Sequence, residues 1–85
     1  MFKVKVSKQS IDKFKGMDES LSAMLIAWIR KNLSQTINPR IFGKSMFKKD
    51  NRFWQYRLGD FRLLAIIYDD SRLIVLTDIN YNDSL

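Results

Sequence analysis

The sequence runs to 85 residues, 46% hydrophobic and 13% aromatic with 28% charged, which suits one folded domain (1–85) with a small core and excludes a disordered chain. It contains neither cysteine nor histidine, so disulfides, thiolate nucleophiles, imidazole bases and the usual zinc ligands are out, and chemistry falls to Lys, Arg, Tyr, carboxylates or hydroxyls. The net charge of +6 is uneven, with Arg40, Lys44, Lys48, Lys49, Arg52, Arg57 and Arg62 against Asp50 and Asp60 in residues 40–62, a concentration that favours nucleic acid or an acidic protein segment as partner.

FKVKV at residues 2–6 alternates apolar residues with lysine, the pattern of a half-buried strand. Ser7 is placed to cap a short helix carrying Ile11, Phe14 and Met17, which Gly16 helps to stop. Asp18 caps a second helix with Glu19 in its first turn. Leu21, Met24, Leu25, Trp28, Ile29 and Leu33 form one apolar stripe along it, expected to be core. Asn38-Pro39 is expected to end that helix, because the residue before proline leaves the helical region. RIFGKSMFKKDN then reads as a loop with a short strand around Ser45 to Phe47 and a turn signal at Asp50-Asn51.

Three strands follow, over Phe53–Leu58, Phe61–Tyr68 and Leu73–Asn80, joined by Gly59-Asp60 and by Asp69-Asp70-Ser71. Glycine in the first position of a two-residue connection suits a type II′ hairpin. The expected fold class is therefore α+β: an N-terminal strand, a two-helix hairpin, then an antiparallel three-stranded meander, with the helices on one face of a single twisted sheet. MFKVKVSK has no apolar signal core, and the apolar runs Ala23–Ile29 and Leu63–Tyr68 are too short to span a bilayer. A soluble, cytoplasmic protein with no membrane association is expected, and the lack of cysteine fits a reducing compartment without requiring one.

The Gly59-Asp60 turn has a consequence for charge. It sets Leu58 across from Phe61, Arg57 across from Arg62 and Tyr56 across from Leu63. Opposed side chains have Cβ atoms ~5 Å apart, and like charges there are destabilising. Pairing with Asp60, Asp69 or Asp78 would account for one arginine more readily than for two. An anion between or beside them accounts for both, and guanidinium forks suit phosphate. Trp54 and Tyr56 could stack on bases, but alternation puts them on the face opposite Arg57, so they are assigned to the core.

NPRIFGKSM at residues 38–46, followed by FWQYRLGDFRLLAIIYDD at residues 53–70 and a final strand, resembles the RelE/ParE superfamily of bacterial toxin–antitoxin toxins, specifically its RelE-like members. The usual pattern there is N-P, G-K-x-L, a short basic loop, then W-x-Y-R-x-G-x-Y-R and a hydrophobic strand. The resemblance implies a ribosome-dependent mRNA endoribonuclease that cuts in the ribosomal A site through the substrate's own 2′-hydroxyl, with no cofactor and no metal. It also implies inhibition by a RelB-like antitoxin, expected to be acidic and partly disordered. Arg57 and Arg62 match the positions that stabilise charge on the phosphate, and Lys44 of the G-K step is the next basic candidate.

Lys48, Lys49 and Arg52 are candidates for holding RNA phosphates, beside the alternative of a solvated basic loop. With no histidine, proton transfer would fall to a lysine depressed by cationic neighbours or to a tyrosine. The last stretch, DINYNDSL, departs from the pattern: Asn80 stands for a glycine, Tyr81 for His or Lys and Asn82 for an arginine, and the sequence stops at Leu85, where the usual tyrosine is expected next. Tyr81 is the candidate substitute, as a stacking ring or weak proton donor. Two other functions stay open: a ParE-like toxin that poisons gyrase, and a catalytically impaired toxin that only binds its antitoxin.

Overall fold

A computed structural model of the chain describes residues 1–81. The elements run β1 (Lys3–Val6), α1 (Lys8–Gly16), α2 (Glu19–Asn32), β2 (Lys44–Phe47), β3 (Asp50–Leu58), β4 (Phe61–Tyr68) and β5 (Leu73–Tyr81). They build one five-stranded sheet in the order β1-β5-β4-β3-β2. β1 pairs parallel with β5, and the other neighbours are antiparallel.

Both helix starts follow from their capping residues. The Ser7 side chain accepts from Ser10 N–H, and Asp18 accepts from Leu21 N–H, each satisfying an amide that the first turn leaves without a partner. Both helices contribute to one core with the inner sheet face. Phe14 comes from α1, Leu25 and Ile29 from α2 and Leu33 from its end, and they meet Tyr56, Leu63, Ala65, Ile67, Ile74, Leu76 and Ile79 of the strands. No helix among the described residues is long and apolar enough to cross a membrane.

The structure departs from the sequence expectations in four places. α2 ends at Asn32, well before Asn38-Pro39, because Gln35 takes a left-handed backbone (φ 67) and the chain turns back to β1. There Gln35 N–H donates to Phe2 O and Phe2 N–H to Thr36 O, so the backbone finds sheet-like partners instead of helical ones. Met24 is 61% exposed rather than core, sitting at the margin of the α2 stripe. The short strand expected around Ser45 to Phe47 is β2, but it turns into β3 through Lys48-Lys49 rather than Asp50-Asn51, and β3 starts at Asp50 rather than Phe53. Arg52 consequently lies on a strand and not in a loop.

The fourth departure decides the end of the sheet. Leu64 pairs with Asp78 but Ala65 pairs with Leu76, so Thr77 is an extra residue, a β-bulge. Its hydroxyl donates to Leu64 O. Strict alternation from Ile74 and Leu76 would send Asp78 and Asn80 inward. The bulge reverses this, so that Ile79 is buried and Asp78 and Asn80 share the outer face with Arg62.

Candidate functional site

The hairpin between β3 and β4 has the register that its turn dictates. Leu58 pairs with Phe61, Arg57 with Arg62 and Tyr56 with Leu63. Gly59 has φ 57, and Asp60 has no positive φ, as a type II′ turn requires. Tyr56 and Leu63 are fully buried on the inner face. Arg57 and Arg62 therefore project from the outer face, where both are exposed.

The NPRIFGK segment is the scaffold that brings Lys44 to the same place. The buried Tyr56 hydroxyl donates to Pro39 O at 2.7 Å, and burial pushes its phenol up from the ordinary tyrosine value. Arg40 grips Asp69 with two hydrogen bonds of 2.8 and 3.0 Å, also donates to Asn51 O, and lies 5.7 Å from the Trp54 ring centre. Trp54 Nε1 donates to Phe42 O at 2.7 Å. Gly43 then turns the chain with φ 78, where an added Cβ would overlap the Gln55 carbonyl. Lys44 emerges paired with Gln55. Gly43, Lys44, Gln55, Arg57 and Arg62 line one depression of about 330 Å³.

None of the ion pairs among the described residues involves Arg57, Arg62 or Lys44. Asp69 is taken by Arg40 and Asp78 by Lys13, so two of the carboxylates that could have neutralised the arginines are committed elsewhere. The site is an open, positively charged patch with two opposed guanidinium forks, an ammonium and the neutral Gln55 amide, a set able to hold a phosphate by several charge-assisted hydrogen bonds.

The other candidates fall away from it. Lys48 and Lys49 form the tip of the β2–β3 hairpin, at the opposite end of β3 from Arg57. Arg52 lies five residues from Arg57, ~17 Å along an extended strand. Its guanidinium is drawn to Asp50 at 2.9 and 3.0 Å, and the hydrogen bonds from its side chain and backbone N–H hold the Asp50 carboxyl at about 2. Tyr81 is opposite Phe61 and stacks edge-on against it at 5.1 Å, so the bulge has carried it to the helix side of the sheet, outside the depression that Lys44, Arg57 and Arg62 share. Asn82 and Leu85 lie outside the described residues.

Sequence reasoning missed Gln55 and Asn80. Gln55 was detectable from its parity with Arg57, whereas Asn80 depended on the unforeseen bulge. On the inner side, the hairpin and α2 border a mostly apolar groove of about 810 Å³ that includes Met24, Trp28, Leu58, Phe61 and Tyr81. Arg57 lines both this groove and the outer depression. Among the described residues, no group of three or more carboxylates could hold a metal ion.

No protein-family model and no curated protein matches the sequence. Solved structures do match it over nearly its whole length. A chain of the toxin–antitoxin complex RelBE2 from Mycobacterium tuberculosis superposes with a TM-score of 0.81 at 19% identity, covering 96% of this chain and 93% of that one. The isolated RelE toxin of E. coli gives 0.78 at 11% identity, covering 100% and 88%. The chain has the RelE fold. A third RelE-fold match, to the archaeal RelE–RelB complex from Pyrococcus horikoshii, gives 0.74 at 16% identity over 99% of this chain and 98% of that chain. At such identities the shared property is the RelE scaffold, and function rests on the site that the scaffold carries.

Proposed function

We propose that the protein is the toxin of a type II toxin–antitoxin pair and acts as a ribosome-dependent mRNA endoribonuclease. The observation that carries this reading is the opposed Arg57–Arg62 pair on an open sheet face, where stability alone would disfavour two like charges.

In the proposed reaction the substrate's 2′-hydroxyl attacks the adjacent phosphorus as the bond to the 5′-oxygen breaks in line. The hydroxyl proton passes to water and the 5′-oxygen takes one from water, to leave a 2′,3′-cyclic phosphate and a 5′-hydroxyl. Negative charge grows on the non-bridging oxygens as the phosphorus becomes five-coordinate. Arg57 and Arg62 donate to those oxygens, and Lys44 adds a third cation beside Gln55. Fixed donors aimed at developing charge commonly contribute about 3 kcal/mol each, and holding the 2′-oxygen in line supplies much of the rest. Tyr81 is left out of this set by its position on the helix side. The Lys48-Lys49 tip, remote from the arginines, is assigned to ribosome or RNA backbone contact.

The natural inhibitor on this reading is an acidic, partly disordered antitoxin that folds on binding. The apolar groove beneath the hairpin offers such a segment a docking place whose rim includes Arg57 and Lys31.

An in vitro translation assay with mapping of message ends tests the proposal. Cleavage is expected with ribosomes and wild-type protein, and is expected to fall by about a hundredfold or more in Arg57→Ala and in Arg62→Ala. Message left intact at saturating protein would overturn it. The displacement of Tyr81 specifically favours the impaired-toxin reading, which predicts that intact message together with tight antitoxin binding.

A further inference from the structure

We infer that Asn80 is a further substrate-contacting residue of the arginine site, a neutral amide donor that Lys13 and Asp78 hold in position. The inference rests on the reading of this face as an RNA site. Asn80 pairs directly with Arg62, which pairs directly with Arg57, so the three side chains form one row across β3, β4 and β5, ~10 Å from end to end.

Its orientation comes from α1. β1 stops pairing with β5 at Val6 and Leu76, which leaves the following carbonyls of β5 without a strand neighbour. Ser7, which caps α1, and Ser10 and Lys13 within it recur every third residue along one side facing β5. Ser7 Oγ donates to Thr77 O and Lys13 to Ile79 O, while Ser10 adds a second donor to Leu76 O, which already accepts Ser7 N–H.

Lys13 Nζ also lies 2.6 Å from Asp78 Oδ1 and 3.4 Å from Asn80 Oδ1. Its three N–H donors thus have three acceptors on β5. The ammonium is committed within the protein and acts on a substrate only through Asn80. The Asn80 oxygen is engaged in turn, and no hydrogen bond among the described residues uses its Nδ2. The amide N–H donors are presented on the face that carries Arg62.

This arrangement suits the local charge. A third cation in the row would add like-charge repulsion to the Arg57–Arg62 pair. An oriented amide adds directed donors for phosphate oxygens without it.

The test is binding of a short 2′-O-methyl oligoribonucleotide, which lacks the attacking hydroxyl, by fluorescence anisotropy at several salt concentrations. Asn80→Ala is expected to weaken binding about fivefold to tenfold with the salt slope unchanged, because no charge is lost. Arg62→Ala should weaken binding and also reduce the slope by about 0.7. Asn80→Asp is expected to bind more weakly than Asn80→Ala. Lys13→Ala should match Asn80→Ala and add nothing on top of it, while Lys13→Arg restores binding.

Wild-type affinity in Asn80→Ala alongside a weakened Arg62→Ala would overturn this inference alone. Wild-type affinity in all three of Asn80→Ala, Arg57→Ala and Arg62→Ala would overturn the RNA reading with it. Additive losses from Lys13→Ala and Asn80→Ala would remove the positioning role of Lys13.

Discussion

Two contacts made by single residues fix where Lys44 emerges. Tyr56 has no exposed surface, and its hydroxyl reaches Pro39 O at 2.7 Å. Tyr56→Phe keeps the ring but leaves that carbonyl without its partner, at an expected cost of about 1–2 kcal/mol in urea unfolding. Gly43 is more demanding, since a methyl there would meet the Gln55 carbonyl and also press on Trp54 Nε1 at 2.9 Å, with φ at 78. Gly43→Ala is expected to cost about 2 kcal/mol or more. It should also lower RNA affinity by shifting Lys44 away from Gln55, so a variant of wild-type stability and affinity would refute the scaffold role of the NPRIFGK segment. The Arg57–Arg62 pairing followed from the two-residue turn alone, because hairpin register is set by loop length. The placement of Tyr81 did not follow, because one extra residue at Thr77 moves every later side chain of β5 to the other face.

The elements differ in how plainly the sequence announces them. β4 is an apolar run broken only by Arg62 and closed by turn residues at both ends, and its bounds coincide with those read from the pattern. The signal for β2 is weaker, a short strand expected around Ser45 to Phe47 inside a loop. Its four residues have mixed polarity, and its existence depends on pairing with β3 and on the hold that Arg40 keeps over the preceding loop. That hold is sensitive to pH. The hydrogen bonds from Arg40 keep Asp69 below the usual carboxylate value, so its stabilising effect is complete above the unfolded value near 4 and is lost as pH falls through the lower folded value. Because Asp69 is 56% exposed, Asp69→Asn is expected to cost only about 1 kcal/mol at neutral pH. Chemical unfolding at a pH low enough to protonate Asp69 in the folded protein as well, where both proteins carry an uncharged side chain at this position, should show the difference gone. A difference that persists at that pH would assign the effect to packing instead.

For the molecule as a whole, stability and ligand binding should respond oppositely to salt. The net charge is +6, the positive excess is greatest in residues 40–62, and two arginines face each other within that stretch. Each ion pair among the described residues has one solvent-exposed partner and is expected to lose little when screened. Self-repulsion should therefore dominate the salt response of the folded state. Raising the ionic strength from about 0.05 to 0.5 M shortens the screening length to a few ångströms and is expected to raise the midpoint of urea unfolding. Across the same range, affinity for an oligoribonucleotide should fall steeply as counterions compete for the arginine row. Arg57→Gln removes one of the opposed charges, so it should unfold at higher urea than wild type at low salt and lose that advantage at high salt, while binding RNA more weakly throughout. A midpoint that falls with salt would mean that attraction within the ion pairs outweighs the repulsion between Arg57 and Arg62. The strained charge pair would then give no reason to place an anion between them.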